Sequence, residues 1–185
     1  AQQRARREVL VERAPLQIVV RAGGELCSGA KVRGCLVDVV GVEICGAVKN
    51  IAAIAIGVCD ALGFGDNAKG SVITLGLTEM ARIGRVYGAK RSTCYGLAGV
   101  GDLVATAFSK HSRNRFFGEQ LGKGKTFEEI SKLMKGSIAE GTQAVKAVYE
   151  LSRVKKIDLP LATEIYKVIY EGKDLKSAIK EIISL

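Results

Sequence analysis

The stretch GVEICGAVKN, residues 41–50, places a lysine inside an apolar run. An ammonium is costly to bury, so Lys49 must be compensated in some way. On a helix its neighbours at i−4, i−3, i+3 and i+4 are Cys45, Gly46, Ala52 and Ala53, and all four are small. They leave a slot that another backbone or a small ligand can enter. A partly desolvated lysine can act as a base near neutral pH. The alternative is a lysine that snorkels to solvent or pairs with a carboxylate.

Two further places can carry chemistry. Asp102 follows the glycine-rich GLAGVG, a turn that can hold a carboxylate against another part of the fold. It can equally serve as an N-cap for a short segment at 103–108. In SKHSRNR, Ser112, Arg113 and Asn114 fall where a helix should begin. Backbone N–H groups, a guanidinium fork and an amide converge there, as a phosphate cradle requires. The plainer alternative is an exposed basic helix start.

Other patterns are excluded. GDNAKGS (65–71) lacks the lysine that a P-loop needs after its second glycine. GLAGVGDL has a GxG but no final glycine and no clear strand before it, so it is not a dinucleotide fingerprint. The cysteines, at 27, 35, 45, 59 and 94, form no CxxC pair, and there is one histidine. No metal site is therefore expected, nor a disulfide framework. Cys45 and Cys59 read as small core hydrophobes, and the cysteine usage suits a reducing cytoplasm.

These residues need a scaffold, and the composition limits its kind. Of 185 residues 48% are hydrophobic but only 5% aromatic, which favours close-packed helices of Ala, Val, Ile and Leu. The net charge of +9 points to anionic partners without saying which. The run 44–62 is cut by Lys49, Asn50 and Asp60 to nine clean apolar residues, short of the ~20 that a membrane span needs. It reads as a buried central helix.

Residues 1–40 differ from the remainder. LQIVV (16–20) is strand-like and VRGCLVDVV (32–40) reads as a second strand, so this part is taken as a β-containing remnant or linker. About seven helices are expected over 41–185. The first covers 42–62. The second is capped by Asp66 and ended by Gly88, with residues 68, 72, 75, 80, 83, 86 and 87 on its buried face. Others run from Arg113 to Leu121, from a Thr126–Glu129 capping box to 135, over 140–153, from Pro160 to Gly172, and from an Asp174 cap onward.

Three ordered blocks carry a resemblance. The long run from GVEICGAVKN to ARIG, then GLAGVGDLVATAFSKHSRNRFFGEQLGKG, then AEGTQAV resemble the C-terminal domain of bacterial-type NAD(P)-dependent glycerol-3-phosphate dehydrogenases. The similarity runs from about Asp38 to near the C-terminus. It implies a mainly α fold, a multi-helix substrate domain of the 6-phosphogluconate dehydrogenase C-terminal-like type. It implies interconversion of sn-glycerol 3-phosphate and dihydroxyacetone phosphate, in glycerophospholipid precursor synthesis, with NAD or NADP as cofactor.

The resemblance also assigns roles. Lys49 would be the catalytic base, with Asp102 as its companion in the catalytic and substrate site. Asn50, Thr106, Ser112, Arg113 and Asn114 would bind substrate. Arg113, Ile138 and Glu140 would touch the dinucleotide. The family's N-terminal Rossmann domain has no counterpart in these 185 residues, so this chain alone is expected not to turn over. A homo-oligomer is expected, in the cytoplasm, with no nucleic acid as partner and no membrane span. The rival reading is a basic helical module that binds nucleic acid or protein; it explains the charge but neither the buried lysine nor Asp102.

Overall fold

The computed structural model describes residues 38–135 and 140–184. Among these it has nine α-helices and a single π-helical turn, with no strand. Helix α1 (Val39–Ala61) is the axis, and α2 (Asp66–Tyr87) lies along it. A short α3 (Arg91–Tyr95) leads through the π turn (Leu97–Gly101) into α4 (Asp102–Phe108). Then come α5 (Arg113–Gly122), α6 (Phe127–Leu133), α7 (Glu140–Lys155), α8 (Pro160–Glu171) and α9 (Leu175–Ile183).

Helix α1 is apolar nearly all round and packs against α2, α4, α5, α7 and α8. It is long and apolar enough to cross a bilayer, but it is enclosed by these helices, with Ile51 to Ile56 at 0% exposure. A helix hydrophobic on every side must be covered on every side, and here protein does the covering. The mixed membrane-or-core signal of the sequence is thus resolved as core.

Several ends follow from local chemistry. Gly88 and Gly172 close α2 and α8 in the left-handed conformation. Thr126 and Glu129 form the expected capping box, and Asp174 accepts the Ser177 N–H. Pro160 occupies the start of α8. Asp66 differs from expectation: it is the first residue of α2, and Gly65 holds the cap position. Ala68, Val72, Met80 and Ile83 are buried as expected, joined by Gly76, Glu79 and Gly84, while Leu75 and Tyr87 are half-buried and Val86 is exposed.

The proposed strand at 32–40 ends in a helix. Asp38 is the N-cap of α1, so Val39 and Val40 are helical, while 1–37 lie outside the described residues. Its carboxylate accepts the Gly41 N–H at 2.9 Å on one oxygen. The other oxygen accepts the Lys90 N–H and the Thr93 hydroxyl, each at 2.7 Å. Burial alone would raise this acid, but the three hydrogen bonds outweigh it and hold the carboxyl below its ordinary range. One side chain thereby ties the start of α1 to the start of α3.

Helices α1 and α5 pack backbone to backbone. A Cβ on Gly118 would lie 1.9 Å from the Ile54 carbonyl oxygen, and one on Gly57 would lie 2.0 Å from the Arg115 carbonyl oxygen. Each helix therefore rests on the other's backbone. An Asp60 carboxylate locks the crossing at one end. It accepts from Arg115 at 2.7 and 2.9 Å on one oxygen and from Lys69 at 2.9 Å on the other.

One prediction follows from this packing. Gly118→Ala gains about 1 kcal/mol of helix propensity, but it drives a methyl into backbone that cannot swing away. A net loss of about 3 kcal/mol is expected in urea unfolding. Gly70→Ala on exposed α2, where a Cβ meets nothing within 4 Å, should instead be neutral or stabilising.

The other prediction concerns Glu79, buried at 0% exposure on α2. It accepts the Leu161 N–H at 2.6 Å and the Ala162 N–H at 3.3 Å, satisfying the first turn of α8. Burial pushes its carboxyl from an ordinary 4.5 up to about 8, against the opposing effect of those bonds. A raised folded value means the folded state holds the proton more tightly. That contribution to stability is complete below pH 4.5 and is lost as pH rises through about 8. The urea midpoint should decline across that window, and Glu79→Gln should flatten the decline.

Candidate active site

Lys49 projects from the middle of α1 and is buried, at 4% exposure. Of its four small helical neighbours, Ala52 faces α2, where its Cβ meets Gly76, while the space beside Gly46 is open. The ammonium is compensated by a carboxylate: Lys49 Nζ donates to Asp102 Oδ2 at 2.5 Å. Thr106, one turn further along α4, directs its hydroxyl to the other Asp102 oxygen at 3.4 Å. The Asp102 side chain is therefore engaged in the site and does not cap α4, where Gly101 stands at the cap position.

The glycine-rich stretch explains how Asp102 reaches Lys49. It forms the π turn, and a Cβ on Gly99 would fall 1.8 Å from the Cys94 carbonyl oxygen. Only glycine lets the turn settle onto α3. Because Asp38 ties α3 to α1, the segment carrying Asp102 is fixed relative to the lysine helix at both ends.

The other half comes from α5. Ser112 caps it, accepting the Arg115 N–H at 3.2 Å. Arg113 and Asn114 then occupy its first turn. Asn114 is buried, and its Oδ1 accepts the Gly141 N–H at 2.8 Å. A Cβ at Gly141 would stand 2.7 Å from that oxygen and 3.0 Å from the Asn50 carbonyl oxygen. Glycine at 141 thus lets α7 begin against α1 and α5 together. The Tyr170 hydroxyl donates to the Thr142 carbonyl at 3.0 Å, fixing the same turn from α8.

Lys49, Asn50, Thr106, Arg113, Asn114 and Glu140 line one cleft of about 450 Å³, together with Ser112. Arg113 Nη2 and Glu140 Oε1 stand 3.3 Å apart at its exposed side. Every expected site residue among those described is brought to this cleft or, for Asp102, to the lysine within it. Ile138 lies outside the described residues. The basic spot read in KHSRNR is partly neutralised, since Arg113 meets Glu140 and Arg115 is paired with Asp60.

Sequence reading missed four contributors: Asp38, Gly141, the Asp60–Arg115 pair, and His111 with Ser109 on the cleft wall. Gly141 had a visible signal, because it follows Glu140 directly. Asp38 had only its place as a possible helix cap. Nothing local links Asp60 to a residue 55 positions away.

The cleft has donors for an anion at one end and a paired ammonium at the other. It is enclosed at the lysine and open at Arg113, where the guanidinium fork can take phosphate oxygens and Glu140 can accept from hydroxyls. This donor set fits the edge of a dinucleotide.

One stability prediction tests the ion pair. Asp102→Asn removes the carboxylate and leaves the buried ammonium without its countercharge. The partial exposure of Asp102 reduces the penalty from the 3–5 kcal/mol of a fully buried pair to roughly 1–3 kcal/mol. Lys49→Met combined with Asp102→Asn should recover most of the loss in urea unfolding. Additive losses would contradict the pairing.

Comparison with known proteins identifies the family. Residues 38–180 match the family model described as the NAD-dependent glycerol-3-phosphate dehydrogenase C-terminus. The chain is 50% identical over 147 residues to a glycerol-3-phosphate dehydrogenase [NAD(P)+] of Chlorobium chlorochromatii (strain CaD3), covering 80% of this chain and 44% of that protein. It is 49% identical over 142 residues to the enzyme of that name from Clostridium perfringens (strain SM101 / Type A), covering 77% and 43%. Among solved structures, the glycerol-3-phosphate dehydrogenase of Coxiella burnetii superposes with a TM-score of 0.77 at 42% identity, over 80% of this chain and 46% of that one. The chain thus spans less than half the length of these relatives. It belongs to the NAD-dependent glycerol-3-phosphate dehydrogenase family, and it carries that family's C-terminal domain.

Proposed function

We propose that this chain supplies the substrate-binding and proton-transferring half of a glycerol-3-phosphate dehydrogenase. The reaction interconverts sn-glycerol 3-phosphate and dihydroxyacetone phosphate. The observation that carries the reading is the placement of Lys49 and the Arg113–Asn114 pair on one small cleft. A three-carbon phosphate has a charged end and, two carbons away, the hydroxyl to be oxidised, and the cleft offers a group for each.

Arg113, the Asn114 amide and the Ser112 end of α5 hold the phosphate, which turns remote binding energy into alignment. Lys49 faces the oxygen on C2. In oxidation its amine takes the hydroxyl proton; in reduction its ammonium returns a proton to the carbonyl oxygen. Asp102 holds that amine in place, and Thr106 holds Asp102. Asn50, next to Lys49, completes the polar wall around the substrate. A bound NAD or NADP would supply the hydride acceptor or donor for C2. Arg113 and Glu140 would contact it from the exposed side of the cleft, and Ile138 is proposed as a further contact.

The described residues offer the dinucleotide one edge, which cannot replace a helix N-terminus on the pyrophosphate. The 185-residue chain alone should therefore leave NADH unoxidised when mixed with dihydroxyacetone phosphate. Addition of a separately purified dinucleotide-binding domain from a relative should start turnover, read as loss of nicotinamide absorbance. Lys49→Met should lower kcat by about 10²-fold or more, and Arg113→Ala should act mainly on KM for the phosphorylated substrate. Turnover that survives Lys49→Met unchanged would refute the assignment of the base.

A further inference from the structure

A second cleft, of about 510 Å³, lies on another part of the surface between the C-terminal half of α2 and α3. It shares no lining residue with the Lys49 cleft. Arg82, Arg85 and Arg91 line it, with Ala81, Ala89 and Tyr95, and no acid is among its lining residues. Three guanidinium groups around one concavity repel one another unless something negative lies between them.

Their present partners do not supply that charge in full. Arg82 Nη1 donates to the Asp158 carboxylate at 2.8 Å and to the Asp158 carbonyl at 2.7 Å. Its fork is therefore held in place and its charge largely met. Arg91 lies over the Tyr95 ring, 5.5 Å from its centroid, which orients the guanidinium but brings no counter-ion. Among the described residues neither Arg85 nor Arg91 forms a salt bridge, although ten such contacts involve other cations.

We propose that this cleft is a binding site for a small multiply charged anion bearing a phosphate group. Two planar forks without carboxylate partners can share the oxygens of one phosphate, a geometry a monocarboxylate cannot satisfy as fully. Arg82, fixed by Asp158, forms a third side, while Ala81, Ala89 and the edge of Tyr95 leave room for an uncharged part of the ligand. The volume is comparable to that of the Lys49 cleft, so a molecule of similar size fits. The site is distinct from the proposed substrate cleft and does not depend on that reading.

The test uses the full chain and inorganic pyrophosphate as the probe, followed by two-dimensional NMR of backbone amides and arginine Nε–H groups. Arg113→Ala removes the phosphate-binding group of the other cleft, so the titration is run on that variant as well. Saturable shifts at Arg85, Arg91 and Tyr95 are expected in both proteins, and Arg85→Ala with Arg91→Ala should weaken binding by about tenfold or more. Both side chains are on the surface, and an unchanged thermal midpoint would show that the fold is kept; should it change, Arg85→Gln alone serves in its place. Shifts confined to residues 112–114, shifts that never saturate, or equal affinity in the variants would each overturn the proposal. So would burial of this face in a self-associated species, seen by sedimentation, that excludes pyrophosphate. A parallel titration of the wild type with sn-glycerol 3-phosphate that leaves 112–114 unshifted, with the pyrophosphate shifts at Arg85 and Arg91 intact, would count against the substrate-cleft reading and leave this one standing.

Discussion

Two α-helices that touch through backbone rather than side chains set the dimensions of this molecule. Gly57 on α1 meets the Arg115 carbonyl and Gly118 on α5 meets the Ile54 carbonyl, each closer than any side chain would permit. Helices ordinarily pack 8–10 Å apart, held at that distance by the residues between them. Removing the side chains at the crossing brings the axes nearer, and it brings the first turn of α5 down beside Lys49 and Asn50. The low aromatic content belongs to the same design, since a core built around α1 has room mainly for Ala, Val, Ile and Leu.

The electrostatics follow from that closeness. A lysine on a helix enclosed by others would be excluded from the core unless a carboxylate came to it, and the π turn delivers Asp102. Arg115, one residue beyond Asn114, is drawn inward to Asp60, where burial alone would raise the carboxyl but Lys69 and Arg115 together lower it. That pair locks α5 in rotation, so Arg113 and Asn114 point along the cleft. Charges in this domain therefore do two kinds of work. Those at Asp38 and Asp60 join elements, as the buried Glu79 carboxyl does through hydrogen bonds, while those at Lys49, Asp102, Arg113 and Glu140 converge on a space that a ligand can enter.

Much of this was legible in the residues themselves. Helix ends were readable where a cap acts on its own turn, as at Thr126, Asp174, Gly88 and Gly172. Lys49 stood out because its charge conflicts with its surroundings, and a local conflict is what a functional residue leaves in a sequence. The π turn was read only as a glycine-rich turn and the short α3 was not read at all, because a five-residue helix has too few positions to show a period. The strand expected at 32–40 failed at its end because β-branched Val39 and Val40 suggest a strand locally, while the Asp38 cap and the burial of α1 decide otherwise. Glu79 was unreadable: a carboxylate on an otherwise amphipathic helix looks solvated until its partners, 82 and 83 residues away, are seen.

The central claim is that one close helix crossing brings the two ends of a single small phosphate ester together, the phosphate at α5 and the reacting oxygen at α1. A crystal structure of the chain grown with sn-glycerol 3-phosphate tests this most directly. The phosphate should rest against Arg113 and Asn114, with the C2 oxygen within hydrogen-bond distance of Lys49 Nζ. A molecule bound with its C2 oxygen turned away from Lys49, or found only at a site remote from this cleft, would contradict the account.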